Sequence, residues 1–186
     1  MPKPRETKPA DAISFLQCDH RRLESSFRKL EKARDRDRKS EVAHKVCEAL
    51  RIHTQIEEEI FYPALLAATR DKRACHQAEV EHNGLRTLIA EIEQTSPREI
   101  FFDARVHVLF ELLTHRIEQE EKPGGVFAIA RKSSMDQEAV AKRLRARKRQ
   151  LEGDPTLIDL ARSQQPRQTR ARTRDRVIEL AMQSLS

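Results

Sequence analysis

Four histidines, His20, His53, His82 and His115, recur at nearly even intervals along the chain. In an antiparallel helical bundle two side chains share a level only when the turn between their helices is equidistant from both, so each pair predicts where a turn falls. The midpoints lie near residues 36, 67 and 98. Arg34-Asp35-Arg36-Asp37-Arg38-Lys39, Ala68-Thr69-Arg70-Asp71 and Thr95-Ser96-Pro97-Arg98 stand there, the polar or proline-marked breaks that the apolar pattern requires independently. The spacing predicts four helices carrying four imidazoles to one level.

Periodicity supports an all-α chain, an antiparallel up-down four-helix bundle with an extra C-terminal helix and a basic tail. Ile13, Leu16, His20, Leu23, Phe27 and Leu30 alternate by three and four, which puts His20 in the apolar seam. Val42, Val46, Ala49, His53, Ile56 and Ile60 repeat the pattern, as do Ala78, His82, Leu85, Ile89 and Ile92. The fourth helix offers two apolar rows: Val108, Leu112 and His115, or Phe102, Val106, Leu109 and Leu113. Pro123-Gly124-Gly125 ends or breaks it, and Met135, Val140, Leu144 and Leu151 predict a further helix over about 133–151. The expected organisation is an N-terminal arm at 1–10, a bundle at 11–151 and a basic, largely disordered tail at 152–186.

The basicity sits at one end. Residues 1–140 hold 24 Lys and Arg against 25 Asp and Glu, whereas residues 141–186 hold 12 against 5. The bundle thus gives no electrostatic reason to bind nucleic acid, while the tail is a candidate for weak contact with nucleic acid or an acidic partner. No apolar run is long enough to cross a bilayer and no apolar signal region follows the N-terminus, so a cytoplasmic protein is expected, with no membrane partner. Cys18, Cys47 and Cys75, odd in number and widely spaced, argue for reduced thiols.

One histidine on an apolar stripe is more often a satisfied core residue than a ligand. Four at one level are harder to dismiss, because each buried imidazole needs partners for both ring nitrogens and a metal satisfies several rings together. Glu57, one turn after His53, adds a carboxylate on nearly the same face. A mixed imidazole and carboxylate set suits iron or manganese. His44, His76 and His107 fall off the seam and read as surface residues, and Tyr62 reads as packing near a helix end.

Leu16-Gln17-Cys18-Asp19-His20-Arg21-Arg22-Leu23, His53 through Pro63 and Ala78-Glu79-Val80-Glu81-His82 closely resemble the ligand segments of bacterial hemerythrin-like proteins with an HHE cation-binding domain. The resemblance covers about residues 11 to 151. It implies a four-helix bundle with a non-haem iron site, usually two irons, that binds oxygen, nitric oxide or peroxide, with ligands at His20, His53, Glu57 and His82. On the fourth helix the family generally has two adjacent histidines and a run of glutamates, and the position of the second histidine is Arg116 here. Two readings stay open. In one, His115 substitutes as a ligand together with Glu120. In the other, Arg116 pairs with Glu120 at i, i+4, occupies the space of the second metal and leaves one ion or none.

Function follows in three classes. The leading one is a module that binds or senses oxygen, a related small ligand or iron, without turning over an organic substrate. The others are a di-iron enzyme acting on peroxide or nitric oxide, and a metal-free helical scaffold.

Overall fold

Four aspartates decide where helices begin. Asp11, Asp35, Asp71 and Asp136 each accept a hydrogen bond of 2.8 to 2.9 Å from a backbone N–H two or three residues on, satisfying donors that an incipient helix leaves unpaired. They open α1 (Ala12–Lys32), α2 (Arg36–Ile56), α4 (Lys72–Gln94) and α7 (Gln137–Gly153). Between them lie α3 (Tyr62–Thr69), α5 (Phe102–Glu121) and α6 (Val126–Lys132). The computed structural model describes residues 10–154 and 156–158, and these contain no strand. The basic segment from 159 onward and the N-terminal residues 1–9 lie outside the described residues.

The chain is an all-helical bundle, with α7 added against α1 and α2. Its breaks fall at 33–35, 70–71 and 95–101, so each overlaps the polar segment expected from the spacing, the first just before the midpoint near 36, the second three residues after that near 67 and the third around that near 98. Arg70 closes α3 in the left-handed conformation, φ 60°. No helix among the described residues is long and apolar enough to cross a membrane.

Between α2 and α3 the helix does not stop; it widens into one π turn, Glu57–Phe61. Pro63 accounts for this: it has no N–H to give, and its ring crowds the carbonyl four residues back. The N–H of Tyr62 bonds the carbonyl of Glu57, five residues earlier, and the extra residue turns Tyr62 onto the interior face that Glu57 occupies.

Two apolar clusters fill the bundle. One gathers Ile13, Leu16, Ile56, Phe61, Leu65, Phe127, Leu144 and Leu151; the other gathers Leu23, Phe27, Leu50, Leu85, Ile89, Leu109 and Leu113. Leu16 and Leu23 flank His20, and Leu50 and Ile56 flank His53, so the buried polar residues form a layer between two dry regions.

The C-terminal third departs from expectation in two ways. The short helix α6 was not anticipated, and it brings Phe127 into the core. The packed chain also passes residue 151, because Leu157 and Ile158 join the first cluster, which moves the expected boundary of the bundle. At Gly125 a side chain has no room: a Cβ there would lie 2.7 Å from the carbonyl oxygen of Glu120. Gly125→Ala is therefore expected to lower stability by about 1–3 kcal/mol through a forced shift of the α5–α6 connection, read from urea unfolding. An unchanged midpoint would show that this approach is slack.

Candidate metal centre

Three of the four histidines meet, and they meet in the same way. His20 on α1, His53 on α2 and His82 on α4 are all buried, and each turns Nδ1 outward to a carboxylate. His20 Nδ1 lies 2.7 Å from Glu121 Oε1, His53 Nδ1 3.1 Å from Asp19 Oδ2, and His82 Nδ1 2.8 Å from Glu58 Oε1. A carboxylate can only accept, so each Nδ1 is the donor and each Nε2 presents its lone pair inward. Further cations steady these carboxylates: Lys148 of α7 bonds Asp19, Arg86 bonds Glu58 at 2.8 and 3.0 Å, and Arg21 bonds Glu121.

Two carboxylates face the inward nitrogens. Glu57, in the π turn, sets Oε1 3.4 Å from His53 Nε2 and Oε2 3.2 Å from His82 Nε2. Glu120, near the end of α5, sets Oε2 3.4 Å from His20 Nε2. His20, His53 and Glu57 each offer a ligand atom within 4.8 Å of the others, the spacing of a shared cation. The rings of His20 and His53 stand edge to face at 4.9 Å, and Phe127 stacks on His20 at 5.5 Å.

His115 does not reach the site. It is exposed, whereas the next residue, Arg116, is buried, which corrects the expectation that His115 serves as the fourth-helix ligand. The interior row of α5 is Phe102, Val106, Leu109 and Leu113, and the same spacing carries it on to Arg116 and Glu120. Arg116 donates from Nη2 to Glu120 Oε1 at 2.7 Å, to Tyr62 Oη at 2.9 Å and to Glu57 Oε2 at 3.4 Å, and from Nη1 to Glu81. Tyr62 donates to Glu120 Oε1 at 2.6 Å. Its expected role as packing at a helix end is thus incomplete. His44, His76 and His107 are exposed, as read from their places off the seam.

Electrostatics follow from burial and from Arg116. Burial pushes His53 below the usual imidazole range, and burial with the charges of Arg116 and Arg86 pushes His82 well below it, so both rings are neutral near pH 7 and able to act as ligands. Burial and the neighbouring charge of Glu120 raise the Glu57 carboxyl well above the usual range. Burial works against Glu120 as well, but the charge of Arg116, donating to it at 2.7 Å, holds its carboxyl below the usual range. Burial also opposes ionisation of Asp19, yet the bond from His53 and the charge of Lys148 keep it below the usual carboxylate range.

Several residues here carry no local sequence signal. Asp19, Glu58 and Glu121 adjoin ligand-type positions, and they fix ring orientation. Phe127 and Lys148 come from α6 and α7, far along the chain.

The hemerythrin HHE cation-binding domain family matches residues 11–123. By structure the chain is similar to a hemerythrin HHE cation-binding domain-containing protein from Mycobacterium kansasii, solved by crystallography. The two share 20% identity, with 91% of this chain and 98% of that one covered, at a TM-score of 0.65. No curated protein matches the chain by sequence.

A testable consequence concerns the buried guanidinium. Arg116→Met leaves Glu57 and Glu120 without their cation, and a buried ion pair broken from one side costs about 3–5 kcal/mol. Chelator-treated variant protein should lose stability of that order in urea unfolding. A loss below about 1 kcal/mol, the range of a surface pair, would show that water reaches the layer.

Proposed function

The chain belongs to the hemerythrin HHE cation-binding domain family, and from that premise we propose that it is a non-haem iron-binding bundle that binds or senses oxygen, a related small ligand or iron itself. The residues that would hold the ion are His20, His53 and Glu57 at its centre, with His82 and Glu120 alongside. One observation carries the reading: all three buried histidines tie Nδ1 to a carboxylate and turn Nε2 inward, the arrangement that fixes tautomer and raises basicity in metal-binding histidines.

The donor set fits the ion. Among the described residues, His20 Nε2, His82 Nε2, Glu57 Oε1 and Glu120 Oε2 are buried without a hydrogen-bond partner, and such atoms are costly unless something satisfies them. Nitrogen and carboxylate oxygen without thiolate suit iron. When bound, the metal supplies redox exchange and Lewis acidity toward a small ligand. The chain's own residues do the rest: Asp19, Glu58 and Glu121 orient the rings, and Phe127 covers His20 and excludes water.

A second reading, an enzyme acting on peroxide or nitric oxide, draws on Tyr62. Its hydroxyl is buried and donates to Glu120 at 2.6 Å. Burial and the charge of Glu120 keep it protonated, so it holds a proton inside the site. Iron-loaded protein that consumes peroxide, and loses that activity in Tyr62→Phe without losing iron, would favour this reading. Iron retention without turnover would favour binding or sensing.

The iron assignment has its own test. Protein purified without added metal is expected to carry iron, and His53→Ala to reduce the content several-fold, measured by elemental analysis alongside circular dichroism. Equal iron in variant and parent would defeat the ligand assignment, and a folded parent that takes up no iron would leave a metal-free scaffold.

A further inference from the structure

Glu57 and Glu120 each divide their two oxygens between two sides of the layer. Toward one side, Glu57 Oε1 faces His53 Nε2 and Glu120 Oε2 faces His20 Nε2, both at 3.4 Å. Toward the other, Glu57 Oε2 lies 3.2 Å from His82 Nε2 and 3.4 Å from Arg116 Nη2, while Glu120 Oε1 accepts from Arg116 at 2.7 Å. Carboxylates that span two positions in this way are suited to bridging two cations. On the second side a cation is already in place, and it is the guanidinium.

Building on the iron-binding reading, we propose that Arg116 is the resident second cation of this centre, so that the bundle takes a single metal ion on the side of His20, His53, Glu57 and Glu120. This narrows the wider donor set of the iron-binding reading: His82, whose Nε2 lies 3.2 Å from Glu57 Oε2 on the side of Arg116, then serves as a neighbour of Glu57 and not as a ligand. Three features carry the inference. The guanidinium is buried, at 5% exposure, and held from Glu57, Glu81, Glu120 and Tyr62 together, so its place is fixed by partners on its own helix, on α4 and on the π turn that leads into α3. It cannot leave by losing a proton, as a histidine could, because guanidinium stays charged in proteins. A second metal ion beside it would set two like charges together in a dry layer, where repulsion is screened far less than in water. The atoms grouped at cation spacing, from His20, His53 and Glu57, lie on the side that Arg116 does not hold.

The test is metal stoichiometry with a spectroscopic readout. Parent, Arg116→His and Arg116→Lys are loaded with excess ferrous iron, desalted and analysed for iron per chain. After oxidation, electron paramagnetic resonance distinguishes an isolated high-spin ferric ion from a coupled pair. The parent is expected to hold about one iron and give the isolated signal. Arg116→Lys, which keeps the positive charge, should match it. Arg116→His, which exchanges that charge for a ligand nitrogen, should roughly double the iron and lose the isolated signal to coupling. Circular dichroism checks folding, and if the histidine variant does not fold, Arg116→Gln should still raise occupancy above the parent level. Two irons in the parent would overturn the proposal while leaving the iron-binding reading intact. So would an unchanged single iron in both Arg116→His and Arg116→Gln. A folded parent without iron would defeat the iron-binding reading itself.

Discussion

The bundle depends on how a layer of ionisable groups survives between two dry clusters. Three imidazoles, two carboxylates and a guanidinium lie where only a few per cent of any side chain meets solvent, and an isolated ion there would cost several kcal/mol after relaxation. The layer persists because almost every group is held from outside as well as inside. Nδ1 of each ring is tied to a carboxylate, each of those carboxylates is tied to a surface cation, and Arg116 compensates Glu57 and Glu120. What stays unmatched is a small set of inward atoms, and their position follows from the same scaffold that orders the rest.

That scaffold includes chain beyond the family's span. The match ends at residue 123, yet Phe127 of α6 stacks on His20, and Lys148 of α7 bonds the aspartate that orients His53. Arg147, the next basic residue on α7, bonds Glu59 in the π turn at 2.6 Å. Two of the positive charges in the basic C-terminal part of the chain are therefore tied to acidic groups of the bundle, Lys148 to buried Asp19 and Arg147 to Glu59 at the surface, and α7 is part of the centre's surroundings.

Much of this was legible because helical spacing is local information. His20, His53 and His82 sit in unbroken three-and-four alternations, and their burial follows directly. The fourth helix stayed open because it carries two apolar rows, and the interior one continues into Arg116 and Glu120. An arginine is an unusual core residue, so spacing alone did not choose between that row and the one that ends in His115. Only the acidic partners on other helices justify burying the guanidinium, and those pairings are set by tertiary packing. The π turn was likewise hidden. Pro63 marks it, but a proline late in a helix equally signals a stop, and only the continuous path shows that Tyr62 turns inward.

The central claim is that one inward-facing set of donor atoms, from His20, His53 and Glu57, forms the place where this bundle holds its cation. Diffraction from crystals of iron-loaded protein, recorded on both sides of the iron absorption edge, addresses it directly. One strong anomalous peak is expected within bonding distance of His20 Nε2, His53 Nε2 and a Glu57 oxygen, with the guanidinium of Arg116 still in place beside it. Anomalous density only at exposed histidines such as His115, or none inside the bundle, would contradict it.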